Sequence, residues 1–487
     1  MARPEGSAAS AHDAGARAVR GGMLRTAGYG FGFILGIPTS VLLLRHLGVD
    51  GFARYATVVA LLGIVGGITD AGLTAVGARE LALRERGPER DRLLATILGL
   101  RLVVTPLGVI LAVAFALVAG YSSTLVLGTL AGGIGVVAVS VQATLLMPLP
   151  VDLRFGQVTL IDVLRQVLAL AGVALLVALG AGLLPLLAVQ APIGILTLLA
   201  TVALTWRGGL VRPRLERQLA SMLFKEALPI AISLTLGVIY LRVLVLLCGF
   251  LTTTTQTGYF GTSFRAFEVL WSLPTLMLSA ALPLLSVAGR DDRQRLAGAL
   301  QTMTEAALIF GLFIAIAVSV GARPLLVALG GQQYSGATGT LRIQIFAIVL
   351  VFVGQAWQLG LVALRQQRAL ALANGLALLV VLVAGVILVP PFGAVGAAIA
   401  AVAAEAALAG SILYSLHRLE PALMPNGSFA PRVLALAAIT GVGGALVPDA
   451  RLGALAGSLA FVALMFATRS MPPELIAAFT ARRRAAS

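Results

Sequence analysis

Cysteine is nearly missing from this chain. Cys248 stands alone among 487 residues, which excludes intramolecular disulfides and cysteine-rich metal sites. The three histidines, His12, His46 and His417, lie far apart and give no metal-ligand spacing. Charge is scarce as well: Asp, Glu, Lys and Arg make up 11% of the residues, against about 25% in soluble globular domains. Long polar stretches are lacking. The tail before Gly22, the segments 78–93 and 206–226 and the C-terminal end are the longest, and none is large enough to bury a core of its own. Lysine is reduced to Lys225 beside 34 arginines, a bias that reads as genome base composition and carries no function.

What fills the chain instead is hydrocarbon. Hydrophobic residues account for 59% and the mean hydropathy is +1.00. They gather into about fourteen runs, most near the ~20 residues that cross a bilayer as a helix. The first six fall at 22–44, 53–77, 94–118, 122–145, 157–180 and 182–205. A basic segment with Arg207, Arg212, Arg214, Arg217 and Lys225 separates them from six more, at 227–250, 257–287, 299–320, 340–363, 367–390 and 393–416. Two shorter runs, 432–447 and 451–468, complete the set. Hydrocarbon offers backbone groups no hydrogen-bond partner, so such runs must be α-helical. The expected fold is therefore an all-α integral membrane protein.

Basic residues test this division, because Lys and Arg accumulate in cytoplasmic loops. Outside the runs, only Arg45, Arg323 and Arg451 fall on one side; all others sit in the tail, in alternate loops or at the C-terminal end. Both termini are thus expected in the cytoplasm. The first twenty residues, with Glu5, Asp13, Arg17 and Arg20, lack a signal-peptide core. The organisation that follows is a cytoplasmic tail (1–21), a six-helix lobe (22–205), a cytoplasmic linker (206–226), a second six-helix lobe (227–416), two accessory helices (432–468) and a cytoplasmic C-terminal tail (469–487). Gly51-Phe52-Ala53-Arg54-Tyr55 before the second run parallels Gly258-Tyr259-Phe260-Gly261-Thr262 at the eighth. Six being even, both halves enter the membrane from the same side, as parallel repeats do.

The net charge of +15 and pI near 11.3 do not indicate nucleic acid, since the charges are scattered through short loops. Gly28-Tyr29-Gly30-Phe31-Gly32 lies inside an apolar run and is no nucleotide loop. Asn426-Gly427-Ser428 falls on the cytoplasmic side, where a glycosylation acceptor has no use. No cofactor and no metal site are expected.

Two segments carry a family resemblance. Leu47-Gly48-Val49-Asp50-Gly51-Phe52-Ala53-Arg54-Tyr55, followed by Ile68-Thr69-Asp70-Ala71-Gly72-Leu73 and Ala78-Arg79-Glu80-Leu81, resembles the first hairpin of bacterial polysaccharide flippases. Those proteins belong to the multidrug, oligosaccharidyl-lipid and polysaccharide exporter superfamily. Tyr240-Leu241-Arg242 through Gly258-Tyr259-Phe260, then Ala281-Leu282-Pro283-Leu284-Leu285-Ser286, is similar to their seventh and eighth helices. At Leu244 the chain departs from many relatives, which carry Asp there, so that carboxylate is not available for ion coupling. The resemblance implies two pseudo-symmetric lobes around a central cavity, alternating access, and transfer of undecaprenyl-diphosphate-linked oligosaccharide from the cytoplasmic to the outer leaflet of the bacterial inner membrane.

Charged side chains inside the runs are the functional candidates, because each costs about 3 kcal/mol or more at mid-bilayer. The basic set is Arg25, Arg54, Arg101, Arg165, Arg242, Arg265 and Arg342. Guanidinium forks match the oxygens of a lipid diphosphate, so Arg25, Arg54, Arg101, Arg242 and Arg265 are taken as substrate-binding candidates, the first two supported by the resemblance. Asp162 with Arg165, and Arg265 with Glu268, are three apart and can equally form self-neutralising pairs. Arg25, Arg54 and Arg342 lie near helix ends and can equally snorkel to head groups. Asp70 and Glu405 are candidates for coupling to H+ or Na+, or for pairing with an arginine of another helix. Besides the flippase, the readings left open are a cation-coupled multidrug exporter, a membrane glycosyltransferase or polymerase, and a channel or scaffold. An enzyme is disfavoured because the external links are short and hold little beyond Asp50 and Asp449.

Overall fold

The computed structural model describes residues 6–70, 72–205, 211–279, 293–364 and 366–472. The motif at 281–286, Arg207 and the arginines at 482–484 lie outside the described residues. Within them the chain is helical, with no strand.

In chain order the helices are α1 (Gly6–Asp70), α2 (Leu73–Ala82), α3 (Pro88–Val118), α4 (Ser123–Leu146), α5 (Pro148–Val151), α6 (Phe155–Ala178), α7 (Leu183–Ala188), α8 (Gln190–Thr205), α9 (Arg217–Leu251) and α10 (Thr254–Ser279). They continue with α11 (Arg293–Val320), α12 (Ala322–Gly330), α13 (Thr338–Gln344), α14 (Phe346–Ala363), α15 (Gln367–Leu419), α16 (Phe429–Ala445) and α17 (Ala450–Ala467). Each expected apolar run is helical over its described residues, apart from breaks of one to three residues. Among the described residues, ten helical stretches are long and apolar enough to cross a bilayer, and Phe429–Ala445 is a shorter apolar helix. Exposed side chains such as Leu107, Ile110, Leu111, Ile387 and Leu459 are apolar, as a lipid-facing surface requires. The protein is a multi-pass membrane protein.

The breaks follow local chemistry. Two pairs of runs join into single long helices bent at one glycine: Gly48 (φ 65°) inside α1 and Gly393 (φ 55°) inside α15. A side chain disfavours this left-handed region, so glycine is the residue that turns the chain there. At the second bend Pro390 and Pro391 also remove two helical N–H donors. A third break, at Gly72 (φ 74°), interrupts the run expected over 53–77 and separates α1 from α2. The helix α1 starts at Gly6, inside the segment expected as a plain tail; its many alanines favour helix.

Two compact units partition the chain, one holding Met1–Leu47 and Thr57–Val238, the other Gly48–Ala56 and Ile239–Ser487. Their limits differ from the lobes expected above. The division falls inside α9 because the first half of that helix, with Leu223 and Ala227, is built into the core around Leu93, Ile97 and Met147. The hairpin tip 48–56 belongs to the second unit: the Thr255 hydroxyl donates to Asp50 at 2.9 Å, and a Cβ on Gly258 would stand 2.4 Å from the Val49 carbonyl oxygen. In the first unit, α4 meets α8 at equally short range, a Cβ on Gly135 falling 2.4 Å from the Gln190 carbonyl oxygen. Small residues permit such backbone contact between membrane helices. The second unit packs around Leu300, Leu361, Leu370 and Leu416, with Phe461 and Met465 of α17 filling a neighbouring core against α11.

Candidate functional site

In the first unit the break after Asp70 sets the local chemistry. Interrupting a helix leaves backbone donors and acceptors without partners, and polar side chains gather there. Thr74, the second residue of α2, donates to Asp70. From α3, Arg101 donates to the Asp70 carboxylate, to the Thr74 hydroxyl at 2.6 Å and to the Ser140 carbonyl at 2.7 Å. Arg101 is 1% exposed. Its two terminal nitrogens are engaged across the break, while its buried Nε has no hydrogen-bond partner. Asp70, expected as an ion-coupling candidate, is the partner in that pair.

Arg165 of α6 takes a different partner from the one its spacing offers. It donates to Gln142 Oε1 on α4, which Thr197 of α8 also donates to at 3.2 Å, and no ion pair with Asp162 forms. Arg25 of α1 is half-buried. The Gln142 side chain is fully buried. Arg54 and Arg342 are exposed, and the Nε of Arg342 donates to the Ser319 carbonyl at 3.2 Å.

The second unit gathers two positive charges onto one acid. Arg242 on α9 donates to Glu268 Oε1 at 2.9 Å, and Arg265 on α10 donates to Glu268 Oε2 at 2.8 Å. The three side chains are 22%, 42% and 24% exposed for Arg242, Arg265 and Glu268, so the cluster is partly open. Its charge is +1. The spacing of Arg265 and Glu268 foretold half of this; Arg242 arrives from another helix.

Deeper in the same unit, Glu405 on α15 accepts from the Tyr240 hydroxyl at 3.1 Å. Both line a cavity of about 20 Å3 with Phe260, Phe264, Phe267 and Gln344. Gln344 accepts from Ser263 at 2.6 Å, while its buried Nε2 has no partner. Tyr240, Gln344 and Gln142 escaped a reading that followed charge alone; a neutral polar side chain within an apolar run was the available signal. Among the described residues no group of three or more His, Cys, Asp or Glu side chains forms a metal-ligand cluster.

Residues 18–288, more than half of the chain, match the family described as polysaccharide biosynthesis protein. The chain belongs to that family. No curated protein sequence matches it. The fold of this polysaccharide biosynthesis protein is similar to that of the lipid II flippase MurJ in its inward closed conformation, with TM-score 0.76 and 13% identity over 92% of this chain and 100% of that one. It is also similar to an inward-facing multidrug resistance MATE family transporter of the MOP superfamily, with TM-score 0.64 and 14% identity over 82% of this chain and 98% of the other. A MOP superfamily transporter from Pyrococcus furiosus gives TM-score 0.58 and 15% identity, over 83% and 96% of the two chains. The family is thus that of polysaccharide biosynthesis proteins, and the fold is similar to those of these solved transporters.

Proposed function

We propose that the protein is a flippase, moving undecaprenyl-diphosphate-linked oligosaccharide from the cytoplasmic to the outer leaflet of the bacterial inner membrane by alternating access. Both termini lie in the cytoplasm. The observation that carries this reading is the Arg242–Glu268–Arg265 cluster, where one partly exposed carboxylate is shared by two guanidinium groups. A diphosphate has several negative oxygens, and a guanidinium meets them with paired donors. Arg265, the more exposed of the two, makes first contact; Arg242 adds its charge while Glu268 sets both forks. Arg25 and Arg54 are further substrate-binding candidates in this reading, and Arg101 and Asp70 hold the helix break.

No covalent chemistry is asked of the chain, so the role is transport and not glycosyl transfer or polymerisation. The family description concerns polysaccharide biosynthesis, and a structure similar to this one is a flippase of lipid II; both agree with a lipid-linked sugar. A multidrug exporter, as in the similar MATE transporter, would favour an acidic site for cationic drugs, whereas here two arginines stand on the one carboxylate of Glu268. Purified protein in vesicles should move fluorescent lipid-linked oligosaccharide. Export of organic cations without movement of the lipid would overturn the assignment.

A further inference from the structure

Two acids inside the apolar helices meet arginine: Asp70 pairs with Arg101, and Glu268 with Arg242 and Arg265. Glu405 does not. It is 5% exposed, no basic side chain among the described residues forms an ion pair with it, and its partner is the neutral hydroxyl of Tyr240. We propose that Glu405, Tyr240 and Gln344 form a proton-binding site in the second unit, with Glu405 carrying an exchangeable proton that couples transport to the proton gradient.

Four observations converge on a proton. First, an ionised carboxylate buried without a cation is strongly disfavoured, and taking up a proton removes the charge. Second, among the described residues the Tyr240 hydroxyl is the one side chain hydrogen-bonded to Glu405, whereas an ionised carboxylate has about four acceptor sites to satisfy. Third, the cavity of about 20 Å3 has room for about one water molecule, which suffices to carry a proton. Fourth, the donor set is wrong for a metal cation. Hard cations gather about six oxygen ligands, whereas here the Gln344 carbonyl is taken by Ser263 and the walls are Phe260, Phe264, Phe267 and aliphatic carbon.

The groups facing Glu405 are few. Tyr240 of α9 is titratable; α10 presents its three phenylalanines, α13 presents Gln344, and α15 itself presents Val381, Ala401 and Ala404. When the proton leaves, the O–H bond on Glu405 breaks, the proton passes to water, and a carboxylate remains. Two donors line the same cavity: the Tyr240 hydroxyl, already bonded to Glu405, and the unpartnered Gln344 Nε2. Because they sit on α9 and α13 while Glu405 sits on α15, deprotonation draws three helices together and reprotonation releases them. That step gives the second unit two states selected by one proton. The coupling role rests on the transporter reading above; proton binding does not.

Infrared difference spectra of the full-length protein in nanodiscs separate the two. The wild type should show a protonated carboxylic-acid band at neutral pH that disappears as pH rises, is missing from Glu405→Gln, and is unchanged when sodium chloride replaces choline chloride. Glu405→Asp should shift the band and gives the same assignment if the glutamine variant does not fold. Tyr240→Phe, which removes a donor to the charged form, should move the loss of the band to higher pH. A spectrum without any band that depends on Glu405 would overturn the proposal, and so would a band abolished by sodium at constant pH, which would mark a cation site. Failure of the vesicles to move lipid-linked oligosaccharide while this band persists would remove the flippase reading and leave the proton site standing.

Discussion

Arg101 closes on Asp70 at the point where the first long helix stops and α2 begins, and the two ends of that pair are unequally buried: the arginine side chain is 1% exposed, the aspartate 42%. The asymmetry predicts which partner is dispensable. Asp70→Ala strands a buried guanidinium, and breaking a buried pair in this way costs about 3–5 kcal/mol. Arg101→Met leaves a carboxylate that water can reach and fills the space with an apolar chain, so its cost should be nearer 1–2 kcal/mol, the value of the lost hydrogen bonds. Thermal unfolding of the purified protein should therefore rank Asp70→Ala as the less stable variant. Equal destabilisation, or the reverse order, contradicts the assignment.

Arg265 contributes one fork to the shared carboxylate and is 42% exposed. Replacing it with alanine removes a charge-assisted contact to the diphosphate, a loss of about 1.5–3 kcal/mol, or roughly tenfold to a hundredfold in affinity. Arg265→Lys restores the charge without the planar fork, so it should recover only part of the loss. Binding of undecaprenyl diphosphate to the purified variants measures both, with undecaprenol as the uncharged control that should be indifferent to either change.

Gly135 faces the Gln190 backbone at a separation that no side chain can share. Gly135→Val must push α4 from α8, with an expected cost of about 1–3 kcal/mol or more. A lower unfolding midpoint with unchanged helical content measures it; a midpoint equal to that of the wild type would mean that the two helices are farther apart than described.

The positive-inside distribution predicts sidedness. A cysteine placed at Asp449 should react with an impermeant thiol reagent added outside cells, and one at Arg86 should react only after the membrane is opened. Cys248 is buried and should remain silent in the parent protein. Labelling in the opposite order would invert the topology.

Most of the fold was legible because the bilayer leaves the backbone so little choice: a run such as 94–118 or 367–390 can be satisfied only as helix. Its ends were less legible. The bend at Gly393 fell between two recognised runs, whereas the break at Gly72 lay inside one, since a single glycine in an apolar stretch gives no periodic signal. The site was half legible. Arg265 and Glu268 share a helix face, so their pairing could be read from spacing, but Arg242 with Glu268, Arg101 with Asp70 and Tyr240 with Glu405 join different helices, and tertiary packing alone decides such meetings. Arg165 shows the limit of spacing rules, because Asp162 stood at the right interval and the buried amide of Gln142 took the guanidinium instead.

The central claim is that the Arg242–Glu268–Arg265 cluster handles the diphosphate of a lipid-linked sugar during its passage across the membrane. The most direct measurement is the rate at which fluorescent undecaprenyl-diphosphate-linked oligosaccharide changes leaflet in vesicles containing the wild type or an Arg242→Ala/Arg265→Ala variant of equal stability. The wild type should move the lipid and the variant should not. Equal rates in both, or no lipid movement by a folded wild type, would contradict the account.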